Sequence, residues 1–308
     1  MNVRVFLAGG TGVLGRRLVP QLVARGHHVT ATTTGRDKLG LLEQLGAKAV
    51  VMDGLDAVSV GEAVAAARPD AIVHQLTALA GKPDMKHMDR WFATTSRLRT
   101  EGTDHLLAAA EATGVSHFVA QSYGSWNGIR RGGWVKGEDD PLDAMTGTVA
   151  QPVMEAVRYV EDVVHEAGGV ALRYGWLYGP GAIEGLVETV RKRQFPVVGG
   201  GAGYTSWVHL DDAASATVLA VEQKATGVFN IVDDEPAPAS EWLPHLAACA
   251  GAKPPMNVPA WLARPLAGDA AVIMMTEGRG FSNAKAKREL GWELRYPSWR
   301  LGFEEVLT

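Results

Sequence analysis

The first stretch of the chain constrains its fold more than any other. Val3-Arg4-Val5-Phe6-Leu7-Ala8 reads as a buried strand, Gly9-Gly10-Thr11-Gly12-Val13-Leu14-Gly15 as a tight turn, and the run through Leu18, Leu22 and Val23 as an amphipathic helix. Glycines at 9, 12 and 15 let the turn close, let a ligand approach the backbone, and let the helix lie close on the strand. Free N–H groups of the first helical turn and the positive end of the helix dipole then point at one place. A pyrophosphate suits that place, so Gly9, Thr11, Gly12, Val13, Leu14 and Gly15 are expected to cradle a dinucleotide.

Composition excludes other classes. With 308 residues, 46% hydrophobic and 21% charged, the chain can bury a large core as one large or two modest domains. A net charge of −4 and the absence of a dense Lys/Arg run argue against nucleic acid or an anionic membrane surface as partner. Arg130-Arg131 and Arg191-Lys192-Arg193 read as solvated faces. No apolar run approaches the roughly 20 residues of a membrane helix. Cys249 is the single cysteine, which excludes an intrachain disulfide, and without an apolar leader the chain is expected in the cytoplasm. The nine histidines lack metal-ligand spacing, so no metal is expected.

Strands and helices alternate over the first 120 residues, which predicts right-handed crossovers and a parallel sheet. The fold class is α/β, a doubly wound sheet of Rossmann type over 1–175, with a smaller substrate lobe over 176–308 and the chain crossing back near 205–235. The second strand, His28–Thr32, ends in Thr33-Thr34-Gly35-Arg36, where an NAD-selective fold usually places an acid. Thr34 offers a hydroxyl and Arg36 a planar fork of donors, so a 2′-phosphate and hence NADP is expected over NAD. Asp53-Gly54-Leu55 ends the third strand, with a carboxylate for the adenine amino group. The fourth strand, Ala71–Gln75, brings Gln75 and then Leu76 and Thr77 to the edge where ligands gather. One long helix is expected from Asp89 to Thr113, a fifth strand over Phe118–Ser122, and a Gly- and Trp-rich loop from Tyr123 to about Gly147. A helix opening at Pro152 turns Val153, Val157, Val160 and Val164 inward. A sixth strand, Val170–Tyr174, leads to the turn Gly175–Gly181, and further helices are expected near 183–194, 211–222, 240–250 and 283–290.

Together these motifs resemble the extended short-chain dehydrogenase/reductase superfamily, in its NAD-dependent epimerase/dehydratase branch. Glu101-Gly102-Thr103-Asp104-His105-Leu106-Leu107 resembles its Gly-Thr-x-Asn-Leu-Leu helix, and Arg173 through Tyr178-Gly179-Pro180-Gly181 its turn bordering nicotinamide and substrate. Val208-His209-Leu210-Asp211-Asp212, Gly227-Val228-Phe229-Asn230 and Lys285 through Leu290-Gly291-Trp292 match later segments. The resemblance implies that Tyr174 and the turn after it orient the nicotinamide, and that helices near 89–113 and 152–167 pair two copies into a homodimer.

The family's chemistry uses a tyrosine, a lysine four residues later, and a Ser or Thr on the preceding strand. Here the residues four after the six tyrosines are Asn127, Val163, Tyr178, Ala182, Val208 and Arg300. Counting back from Glu161 as the family's downstream acid places Val153 and Val157 where the pair should stand. The remaining hydroxyls are Ser122 and Tyr123, which become the expected catalytic residues, with Tyr123 as proton donor or as a packed loop residue. His209 and Asp211 read as a helix cap before an acid/base pair. Trp126, Trp134, Trp176 and Trp207 either line an apolar cleft or pack the lobe. The expected activity is NADP-dependent oxidation or reduction of a carbonyl/alcohol pair in a small, partly apolar metabolite. An epimerase or dehydratase returning its hydride, and a non-catalytic NADP-sensing regulator, stand as alternatives.

Overall fold

A computed structural model of the protein describes residues 2–79 and 84–307. Its central sheet has seven strands: β1 (Arg4–Ala8), β2 (His28–Thr33), β3 (Lys48–Val51), β4 (Ala71–His74), β5 (His117–Tyr123), β6 (Val170–Tyr174) and β7 (Gly227–Ile231). All pairings are parallel, in the order β7-β6-β5-β4-β1-β2-β3. The strand order reverses between β1 and β4, which opens a crevice at their carboxyl ends. Successive residues of a strand face opposite sides. Val5 and Leu7 therefore join one core layer and Phe6 and Ala8 the other.

The helices are α1 (Gly15–Ala24), α2 (Leu39–Gln44), α3 (Ala57–Ala67), α4 (Met88–Trp91), α5 (Ala93–Arg99), α6 (Glu101–Thr113), α7 (Gln151–Glu166), α8 (Glu184–Arg191), α9 (Leu210–Gln223), α10 (Ala239–Cys249), α11 (Ala260–Thr276), α12 (Ala284–Leu290) and α13 (Trp299–Leu307). Leu18 and Leu22 of α1 and Ala213, Ala216 and Val218 of α9 cover one sheet face; Val60 of α3, Leu106 of α6 and Val160 and Val164 of α7 cover the other. None of these helices, among the described residues, is long and apolar enough to cross a membrane.

The single helix expected over 89–113 is three helices, broken at Phe92 and at Thr100, whose φ −96°, ψ −83° is not helical. One tertiary bond and one local bond attend the second break: His74 Nε2 donates to the Leu98 carbonyl at 3.2 Å, and the Thr103 hydroxyl bonds back to the carbonyl of Arg99, four residues earlier, at 2.7 Å. Two helices were not expected at all. In α11 Pro265 and Gly268, the latter at φ +84°, ψ 166°, kink the chain and mask its period, and α13 spans nine residues. The Gly- and Trp-rich loop is stitched to the smaller lobe: Val135–Lys136 pairs with Gly280–Phe281, and Asn127 bridges to Arg279. A third core fills that lobe, built on Trp207, Trp242, Trp299, Phe303 and Tyr178.

Candidate active site

The three turn glycines have three distinct roles. Gly9 takes φ +98°, and a Cβ there would lie 2.6 Å from the Gln75 carbonyl oxygen. A Cβ on Gly15 would lie 2.5 and 2.6 Å from the carbonyl oxygens of Gly9 and Gly10, so this glycine lets α1 start against the turn. A Cβ on Gly12 would meet only the Gly9 oxygen, at 3.4 Å, an ordinary contact. Packing therefore explains two of the glycines. The third keeps space open beside the amino end of α1, where Leu14, the residue before the helix, offers no side-chain acceptor. Such a helix start is an anion cradle, and the residues present fit a dinucleotide pyrophosphate.

The turn is tied to β2 through Gly9 N–H to Thr32 Oγ1 (3.1 Å), Gly10 N–H to the Thr32 carbonyl (3.0 Å) and Thr11 Oγ1 to Thr33 Oγ1 (3.4 Å). Beyond β2, Thr34 and Arg36 are exposed, and Arg36 forms no ion pair among the described residues. Asp37 folds back over Gly35, its Oδ1 2.3 Å from where a Cβ would stand. After β3, Asp53 Oδ1 accepts from Leu55 N–H at 2.9 Å, and the buried Gly54 gives its carbonyl to His105 Nδ1 at 3.2 Å. These bonds shape the segment expected to meet adenine.

At the end of β4, His74 accepts from Leu76 N–H through Nδ1 (3.2 Å), so Nε2 carries the proton toward Leu98 and Thr103. Burial pushes its pKa down to about 4, so it is neutral and sets the course of Leu76 and the exposed Thr77. Gln75 Nε2 donates to the Tyr174 hydroxyl (3.0 Å), which donates to Thr217 Oγ1 (2.6 Å), which donates to the Ala213 carbonyl (2.7 Å). Tyr174 is 1% exposed and its hydroxyl is committed to this relay, so it anchors Gln75. Gln75 Oε1 is left buried without a partner, as an unfilled acceptor at the crevice floor.

The end of β5 separates the two expected catalytic residues. Ser122 is fully buried and donates to Glu161 Oε1 at 2.5 Å, while Arg173 clamps both Glu161 oxygens at 2.8 and 2.7 Å. The Ser122 hydroxyl is thus committed to a buried network with Glu161 and Arg173. Tyr123 faces the opposite side and is half-buried against the lobe core. Burial pushes its phenol up to about 12, with Ser125, Trp126 and Arg99 pulling the other way, so it holds its proton at neutral pH. Val153 and Val157, where the family's pair was expected, are 2% and 0% exposed and belong to that same apolar core.

One residue near this point was missed in the sequence. Arg99 is 4% exposed, with Nε and Nη1 buried and without acceptors. The signal was available: Thr95, Leu98, Arg99 and Leu106 share one helical spacing, which puts a cation on an inward face.

Other expectations sort as follows. The turn after β6 bends back to the glycine turn, so that a Cβ on Gly181 would lie 3.7 Å from Val13. His209 caps α9 by accepting from Asp211 N–H at 3.1 Å, with its pKa pushed down to about 4 by burial. The tryptophans pack the lobe more than they line a cleft. Trp126 and Trp207 are buried, Trp176 stacks on Trp207 with ring centres 4.9 Å apart, and Trp134 stacks outside on Tyr204 under Arg279.

The chain is similar to several known proteins. The model of the NAD dependent epimerase/dehydratase family matches residues 5–232. A 3-diazoavenalumate denitrifying reductase from a Streptomyces species is 43% identical, covering 97% of this chain and 99% of its own. A 2-alkyl-3-oxoalkanoate reductase from Stenotrophomonas maltophilia is 29% identical over 81% of this chain and 76% of its own. Two solved structures share the fold. Human epimerase family protein SDR39U1 with NADPH has TM-score 0.73 and 22% identity, covering 99% of both chains. A Thermus thermophilus UDP-glucose 4-epimerase with NAD has TM-score 0.74 and 24% identity, covering 99% of this chain and 97% of its own.

Proposed function

The chain belongs to the NAD-dependent epimerase/dehydratase family and is an NAD(P)-binding oxidoreductase, and from that premise we propose that it reduces a small, partly apolar substrate with NADPH, Tyr123 donating the proton. The observation that carries this reading is the place of Tyr123, half-buried at the carboxyl end of β5 and facing away from the Ser122 network, where the apolar Val153 and Val157 supply no titrating group.

NADPH, when bound, supplies the hydride. The turn at 9–15 would hold its pyrophosphate, Asp53 through Leu55 its adenine end, and Gln75 through Thr77, which His74 and Tyr174 hold in place, its nicotinamide end. Thr34 and Arg36 favour the 2′-phosphate. Tyr123 orients the oxygen of a substrate carbonyl, gives it a proton as the carbon is reduced, and recovers its own from solvent. The reductases named above support this direction: their names give a diazo compound and a ketone as substrates, both electron-accepting.

The test follows NADPH absorbance with a panel of aryl and alkyl ketones, aldehydes and diazo compounds. Loss of NADPH in step with reduced product is the expected result. Tight NADPH binding without turnover on any member would identify a dinucleotide-sensing regulator instead.

A further inference from the structure

We propose that the Arg99 guanidinium is a carboxylate receptor inside the cleft, and that the substrate is a small apolar compound carrying one carboxylate. The proposal rests on the reading of the β5 end as the reaction centre.

The charge inventory around β5 does not balance. Two buried guanidinium groups, Arg99 and Arg173, lie near one buried carboxylate, Glu161. Arg173 takes both Glu161 oxygens and Ser122 also donates to one, so Glu161 is spent. Tyr123, the other group that senses Arg99, is neutral at ordinary pH. Burial pulls the Arg99 pKa down to about 10, which still leaves it charged. Arg99 therefore sits 96% enclosed as a cation whose Nε and Nη1 have no acceptor, and it forms no ion pair among the described residues. An unpaired buried ion is strongly disfavoured, and a fold that keeps one is expected to meet an anion there.

The cofactor's phosphates are poor candidates for that anion. The glycine turn is bound to β2 and packs against Gln75, whereas α5 packs along α7, on the β5 side of β4. Arg99 thus lies on the β5 side of the sheet, where Tyr123 and Glu161 are the groups that feel its charge. One guanidinium offers one charge and a planar fork, which matches a carboxylate in charge and shape. The surroundings are apolar: Val153, Met154, Val157 and Trp126 all pack in the core that Tyr123 joins. An apolar body with one planar anionic end fits such a site.

The test uses the full chain saturated with NADPH and four probes, cinnamate and octanoate and their neutral amides, titrated by calorimetry. At least one acid is expected to bind roughly ten- to hundredfold more tightly than its amide, the range of a charge-assisted bond. Arg99→Gln should erase that preference and leave amide and NADPH affinities unchanged. Arg99→Met should melt higher than the parent without ligand, because it removes an unpaired buried charge. Equal affinity of both acids and their amides for the parent overturns the proposal without any variant. So does a matching loss of NADPH affinity in Arg99→Gln, or a lower melting temperature for Arg99→Met. Tyr123→Phe should keep the acid preference. A protein with that preference and no Tyr123-dependent turnover would refute the proton-donor reading alone.

Discussion

Gly12 and Gly15 stand three residues apart in one turn, and substitution should affect them in opposite ways. A side chain at Gly15 meets two backbone oxygens at 2.5 and 2.6 Å, neither on a flexible group, so Gly15→Ala must shift α1 against β1. Overpacking of that kind costs about 1–3 kcal/mol, and rigid backbone neighbours put it at the upper end. At Gly12 the added Cβ meets one oxygen at 3.4 Å, so Gly12→Val leaves the fold nearly untouched. Its branched side chain instead fills the space before the first turn of α1. Losing two N–H to phosphate bonds at about 1.5–3 kcal/mol each weakens NADPH binding by roughly 10²- to 10⁴-fold. The assay pairs NADPH fluorescence titration with melting curves. The parent at a hundred times Kd should gain about 2.7 kcal/mol from the cofactor. Gly12→Val should melt like the free parent and gain nothing; Gly15→Ala should melt lower. A Gly12→Val protein that binds like the parent, or a Gly15→Ala protein as stable as the parent, refutes the assignment of packing to one and ligand space to the other.

Further outcomes follow from single contacts. Arg36→Ala should weaken NADPH roughly ten- to hundredfold and leave NADH unchanged, checked by calorimetry; equal parental affinity for both cofactors would refute the role given to Thr34 and Arg36. Glu161→Gln should cost about 3–5 kcal/mol in chemical denaturation, because it strands the buried Arg173 guanidinium that it clamps at 2.8 and 2.7 Å. His74 is held near a pKa of about 4 in the fold against 6.5 in an unfolded chain, so the unfolded state takes up the proton first as pH falls. Its share of stability, up to about 3 kcal/mol, is full above pH 6.5 and lost on going down to about 4. Denaturation midpoints across that window check this, and His74→Gln should flatten the dependence.

The first strand, turn and helix were legible because local chemistry dictates them: an apolar run, glycines where backbones touch, and an amphipathic helix. The sheet followed from alternation alone. The long helix was illegible because its second break is tied to His74, whose contact with the Leu98 carbonyl exists only in the fold. Ser122 and Tyr123 looked equivalent in sequence, yet a strand sends neighbours to opposite faces, and only the partners waiting on each side decide which is spent. Glu161 and Arg173 on one side, against an apolar core on the other, settle that Ser122 is committed to a buried network. Arg99 escaped notice because its charge outweighed the inward spacing that it shares with Thr95 and Leu98.

The central claim is that the proton-handling group comes from the end of β5 and not from α7. Single-turnover rates of NADPH oxidation, with whichever substrate the panel yields, test it directly in Tyr123→Phe. Loss of a general acid typically costs 10²–10⁴-fold, so the rate should fall by about that factor at pH 7, with NADPH affinity and melting temperature unchanged. A Tyr123→Phe enzyme as fast as the parent would contradict the claim.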